Sequence, residues 1–161
     1  MKAAQPPRES PLDPATTAIL LIDTQKGIFN AGAATKRPYF HQTAKDIAIP
    51  NMAKLITAGR KAKAEIIYTV IASLTQDGRD RSLDYKQSNF HFPAGSPETE
   101  VIDELKPIAD EIILPKTSSS LFNSTIFEYL MRNIGIDTVQ PTSMDRQARS
   151  AIRHQRKVYV L

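Results

Sequence analysis

Thr17-Ala-Ile-Leu-Leu-Ile-Asp23 is a continuous apolar run that ends in a carboxylate. A run of this kind reads as a central strand of a parallel sheet, buried on both faces, whose last residue emerges at the sheet's carboxyl edge. Outward from it, strand-like and helix-like segments alternate. Residues 45–64 carry Ile49, Met52, Leu55, Ile56 and Gly59 at helical spacing, with Pro50 near the first turn. Glu65-Ile-Ile-Tyr-Thr-Val-Ile71 is a second buried strand. Residues 73–97 are polar and hold Gly78, Pro93, Gly95 and Pro97; a connection of this length carries function or moves. Asp77 and Gly78 within it read as a turn.

Val101, Ile102 and Leu105 then predict a short helix over 98–105, ended by Pro107. Glu111-Ile-Ile-Leu-Pro115 is a third strand leading into Lys116. Ser124 is placed to cap a helix running to Ile134, with Gly135 closing it. Ile136-Asp-Thr-Val139 begins a fourth strand, which Gln140 and Pro141 interrupt, since proline removes a ladder hydrogen bond from a central strand. A further helix over 143–153 and a last strand over 157–161 complete the pattern. The alternation predicts an α/β fold with a mostly parallel sheet, helices on both faces, and a site at the strands' carboxyl ends.

The chain has 161 residues, 41% hydrophobic and 24% charged, which suits one globular domain and excludes a coiled coil or a collagen. Pro6, Pro7, Pro11 and Pro14 make residues 1–14 an extended arm, leaving 15–161 as the domain. No apolar run approaches the roughly 20 residues of a membrane helix, and residues 1–14 lack the apolar core of a signal peptide, so a cytoplasmic protein is expected. The net charge of +4 resides in Arg146, Arg149, Arg153, Arg156 and Lys157 against Asp145. A basic segment with only Tyr159 for stacking reads as a solvated face, and a nucleic-acid partner is not expected. There is no cysteine, which excludes disulfides, thiolate metal sites and a thiol nucleophile. His41, His91 and His154 show no ligand spacing, so neither a metal nor any other cofactor is expected.

Asp23 at the end of the first strand and Lys116 after the third should meet at the sheet's rim, either as an acid–base pair or as a structural ion pair. Four segments carry a resemblance in order and spacing. They are Ala18-Ile-Leu-Leu-Ile-Asp-Thr-Gln25, Phe92-Pro-Ala-Gly-Ser-Pro-Glu-Thr-Glu-Val-Ile-Asp-Glu-Leu-Lys-Pro107, Ile113-Leu-Pro-Lys-Thr-Ser-Ser-Ser-Leu-Phe122 and Gly135-Ile-Asp-Thr-Val139. Together they resemble the isochorismatase-like cysteine hydrolases. The resemblance implies a three-layer α/β/α sandwich and hydrolysis of small amide or ureido compounds by an Asp, a Lys and a Cys at the start of a later helix. Asp23 would be the general base and Lys116 would stabilise a thiolate. Aligned on Asp145, the position of the missing Cys falls at Gln147, and the family's last strands are absent. So abrupt a departure after Val139 reads as an altered 3′ end of the message.

The loop Leu74-Thr-Gln-Asp-Gly-Arg-Asp-Arg-Ser-Leu-Asp-Tyr-Lys86 is similar to one in eukaryotic members and reads as substrate or partner contact through Arg79 and Tyr85. Gln25, Phe29, Ser120 and Phe122 are further substrate-contact candidates. Phe29 and Phe122 read also as core or pocket wall, and the serines at 118–120 and 124 as loop hydrogen-bonders and caps. Ser143 has no neighbouring base to make it a replacement nucleophile. The chain is thus expected to be a small-molecule hydrolase domain that has lost its nucleophile. The alternatives are a binding or oligomer-modulating subunit of a family member, or a product with no function.

Overall fold

The computed structural model describes residues 11–144. Four strands, β1 (Thr17–Ile22), β2 (Glu65–Ile71), β3 (Ile112–Lys116) and β4 (Thr138–Ser143), form one sheet in the order β3-β2-β1-β4. Every pairing is parallel: Ala18 lies beside Glu65 and Val139, and Tyr68 beside Ile113. All six residues of β1 are buried, as a strand with a neighbour on each side and helices on both faces must be.

Side chains of a strand alternate between faces, and the two cores follow that parity. Ile19 and Leu21 of β1, with Ile66, Tyr68 and Val70 of β2, pack beneath α3 (Ile49–Ala62). Ala18, Leu20 and Ile22, with Ile67, Leu114 and Val139, pack beneath α5 (Leu121–Ser124) and α6 (Phe127–Asn133). The result is three layers, helix on sheet on helix. Helix α3 buries Ile49, Met52, Ile56 and Gly59, spaced three or four apart, and has proline in its first turn. It is preceded by α1 (Ala31–Lys36) and α2 (Pro38–Thr43), which the sequence reading left unassigned, and by a π-helical turn at Ala44–Ala48 that takes up the start of the helix expected over 45–64. No described helix is long and apolar enough to cross a membrane.

Three expectations need correction. Residues 98–105 are not a helix but two 3-10 turns, Pro97–Thr99 and Asp103–Leu105, on either side of Val101, which pairs with Gln25 in an antiparallel bridge. The backbone there serves the first strand's exit instead: Lys26 and Gly27 donate to the carbonyls of Glu100 and Glu98, and Ile102 donates to that of Thr24. Second, the cap is Ser120, whose hydroxyl accepts from the Asn123 N–H, and Thr125 is extended, so the predicted helix is divided into α5 and α6. Third, β4 is not interrupted at Gln140 and Pro141 but runs through both to Ser143. It is one of the two edge strands among the described residues, the place in a sheet where proline is housed.

The long polar connection after β2 is built rather than loose. It contains α4 (Leu83–Gln87), with Tyr85 buried. Its turn closes with Gly78 at φ 66°, a conformation glycine adopts without strain. Most of the predicted arm, the helix over 143–153, the strand over 157–161 and the basic segment lie outside the described residues.

Candidate active site

Parallel packing sends every strand's carboxyl end to the same rim, so the residues that leave β1 and β3 are neighbours there although β2 lies between them. Asp23 is the first residue after β1 and takes the left-handed conformation, φ 54°, sparsely populated outside glycine and a mark of local strain. Contacts to Thr69 of β2 hold it. Its N–H donates to the Thr69 carbonyl at 3.0 Å, and the Thr69 hydroxyl donates to Asp23 Oδ1 at 2.8 Å. Lys116, the last residue of β3, reaches over the end of β2 and places Nζ 2.8 Å from Asp23 Oδ2. The Lys116 side chain is 5% exposed and that of Asp23 15%, so the pair is largely withdrawn from water.

The ammonium has two more acceptors, the Tyr85 hydroxyl at 3.2 Å and, more distantly, the Ser118 carbonyl at 3.5 Å. Burial pushes the Lys116 pKa down, but the Asp23 carboxylate and Tyr85 outweigh it, and the net displacement is above the ordinary lysine value. Burial likewise raises the Tyr85 phenol, against the opposing pull of Lys116. At neutral pH the site therefore holds a charged ammonium and a neutral phenol.

The other candidates take different places. Gln25 is fully buried and its amide is committed to backbone: Nε2 donates to the carbonyls of Ile71 and Glu98, and Oε1 accepts from Ile71 N–H. Phe29 stacks on His41 with ring centroids 4.5 Å apart and packs on the α3 side. Phe122 packs edge-on against Phe127 in the opposite core. Ser120 is buried at the start of α5. Arg79 is exposed and pairs with Asp77 at 3.1 Å. Of the residues singled out, then, Asp23, Lys116 and Tyr85 are brought together. Gln147 lies outside the described residues. Ser143 is buried at the end of β4, beside Ile22, and its hydroxyl donates to the Ile22 carbonyl at 3.2 Å.

Thr69 is the site residue that reading the sequence missed. Its signal was present, since a hydroxyl in the apolar run Tyr68-Thr-Val70 of a fully buried strand needs a partner. Close by in sequence, a polar hollow of about 370 Å³ opens between Ser82 and Asp84, which precede Tyr85, and Thr117, Ser119 and Asn123, which follow Lys116. Among the described residues no group of three or more acidic or histidine side chains is placed to hold a metal ion.

The sequence and the fold have counterparts among known proteins. The chain is 26% identical to the ureidoacrylate amidohydrolase RutB of Serratia proteamaculans over 139 residues, covering 76% of this chain and 56% of that protein. It is also 26% identical to the RutB of Rhizobium rhizogenes over 149 residues, covering 81% and 61%. It thus spans less than two thirds of the length of these relatives. Its fold superposes on a cysteine hydrolase of Pseudomonas syringae pv. phaseolicola with a TM-score of 0.74 at 23% identity, covering 94% of this chain and 70% of that one. On the N-carbamoylsarcosine amidase of Thermoplasma acidophilum the TM-score is 0.60 at 23% identity, covering 80% and 67%. The family model for the isochorismatase domain matches residues 17–140, which take in all four strands but for the end of β4 and both members of the ion pair, and the chain belongs to the isochorismatase family.

Proposed function

We propose that this chain carries the acid–base half of a site for small amide or ureido compounds, with Asp23 as the proton acceptor and Lys116 as the fixed positive charge, and that by itself it binds such compounds without cleaving them covalently. The observation that carries the reading is the 2.8 Å contact between Lys116 Nζ and Asp23 Oδ2 at the sheet's rim, in a chain of 161 residues without a cysteine.

The chemistry follows from what is present. A carboxylate within a desolvated rim can take a proton from a nucleophile, and a neighbouring ammonium favours the anion that results. A thiol would profit from both, being only a few per cent ionised at neutral pH. No residue of this chain offers one. The Ser143 hydroxyl is far less acidic and is spent on the Ile22 carbonyl. Losing the nucleophile of such a group removes several orders of magnitude of rate, leaving binding and electrostatic effects.

The test is hydrolysis of ureidoacrylate and N-carbamoylsarcosine, the compounds named for two of the similar proteins, together with direct measurement of their binding. The expected result is binding that Asp23→Asn weakens, with no burst and negligible turnover. Turnover that survives Ser143→Ala but disappears in Lys116→Met would overturn the reading, because the pair would then be cleaving substrate without a thiol.

A further inference from the structure

Resting on that reading of the pair, we propose that Tyr85 is its positioning residue, the group that fixes the Lys116 ammonium against Asp23 and closes the pair from the side of the long connection. A lysine ends in four freely rotating bonds, and a single carboxylate at its tip leaves the ammonium free to swing about one contact. Here it has acceptors from three directions: Asp23 from β1, the Tyr85 hydroxyl from α4, and the Ser118 carbonyl from the loop after β3. Its three N–H donors are matched by three oxygens of the chain, which defines a position rather than a contact.

The tyrosine is itself held where this requires. The Ser82 N–H, at the start of α4, donates to the carbonyl of Thr117 at 2.9 Å, tying the helix that carries Tyr85 to the residue next to Lys116. The Tyr85 carbonyl accepts from Phe90 N–H at 2.9 Å, and the two rings stack with centroids 5.6 Å apart. Phe90 meets Phe92 edge-on, and the Phe92 carbonyl accepts from Ser73 N–H just beyond β2. Both ends of the connection are thereby anchored beside the strands that frame the pair. Tyr85 is 7% exposed and Lys116 4%, whereas the Asp23 side chain is the more open, so a ligand meets the carboxylate first.

Burial lowers the Lys116 pKa, but Asp23 and then Tyr85 raise it beyond that loss, which agrees with a hydroxyl that stabilises the charged form. The charged and titratable groups that face the ammonium from the packed elements are Asp23 and Tyr85, and Asp84 acts on Tyr85 from the same short helix.

The experiment reads the ammonium directly. In the full chain labelled with 15N-lysine and 15N-alanine, the Lys116 signal is assigned by its loss in Lys116→Met, and solvent exchange of its Nζ protons is compared with that of the Ala72 amide, which donates to the Lys116 carbonyl at 3.2 Å. Tyr85→Phe keeps the ring and removes only the hydroxyl. The expected result is Nζ exchange at least tenfold faster with the Ala72 amide unchanged. Nζ exchange that does not move, or that rises in step with the amide, overturns the proposal, the latter because it marks mere loosening of packing. Should Tyr85→Phe fail to fold, the unsubstituted chain decides: a protected Nζ signal with a nuclear Overhauser contact to the Tyr85 ring supports the assignment, and its absence sinks it. Turnover by the unsubstituted chain would instead refute the reading of the site and leave this exchange ratio untouched.

Discussion

Gln25 treats Ile71 as a strand would: its Nε2 donates to the Ile71 carbonyl at 3.0 Å while its Oε1 accepts the Ile71 N–H, so one side-chain amide replaces a backbone neighbour at the end of β2. The same Nε2 also reaches the Glu98 carbonyl. Gln25→Ala strands the buried N–H and carbonyl of Ile71, and a loss of about 3 kcal/mol in unfolding free energy is expected from chemical denaturation. Gln25→Glu is expected to fare no better, since it keeps an acceptor for the Ile71 N–H but loses the donor to the Ile71 carbonyl.

Asp23→Asn leaves the Lys116 ammonium buried without its counter-charge. Breaking one side of such a pair costs about 3–5 kcal/mol, more than the pair is worth against apolar replacements. The double substitution Asp23→Asn with Lys116→Met is therefore expected to be more stable than Asp23→Asn alone, measured by urea midpoints on the three proteins.

A second ion pair sets the acid limit. Arg60 donates to both oxygens of Glu111 at 2.8 Å, and the Ile108 N–H and the Tyr68 hydroxyl add to them. Burial pushes the Glu111 pKa up, but these donors outweigh it and hold the carboxyl below its ordinary value of 4.5. A depressed carboxylate stabilises the fold above the unfolded-state value and loses that contribution as pH falls through the folded one. The stability gap between the wild type and Glu111→Gln should thus be widest above pH 4.5 and narrow below it, as thermal melts in a pH series would show.

Gly27 marks a close approach. A Cβ there would lie 2.5 Å from the Phe92 ring and 2.9 Å from Glu98 Cβ, where the chain leaving β1 crosses the segment that Gln25 grips. Gly27→Ala is expected to cost about 1–3 kcal/mol by overpacking, and to raise hydrogen exchange at Ser73, whose N–H donates to the Phe92 carbonyl.

Some of this was legible before any coordinates. The bounds of β2 match the apolar run from which they were read, because a strand buried on both faces admits little else. Asp23 and Lys116 could be expected to meet since parallel strands deliver their last residues to one rim. The partners that define the pair were harder to foresee. Thr69 has no neighbour in sequence that hints at Asp23, and Tyr85 reaches Lys116 only through the folding of a long connection. Residues 98–105 show why helical spacing misleads over so short a span: Val101, Ile102 and Leu105 are all buried, but the backbone bonds to itself only in two short 3-10 turns and spends Glu98, Glu100 and Ile102 on Gly27, Lys26 and Thr24. Pro141 misled in the opposite sense, for its place at the sheet's edge depends on topology that no local pattern encodes.

The position of β1 at the centre of the sheet also bears on how the chain is made. One of its two flanking strands, β4, is translated long after it, for the Ile22–Ser143 contact joins residues 121 apart in sequence. At about 5–20 residues per second a ribosome needs roughly 6–24 s to cover that interval. For this time β1, buried along its whole length in the finished sheet, keeps one edge unpaired and open to wrong partners until β4 is made.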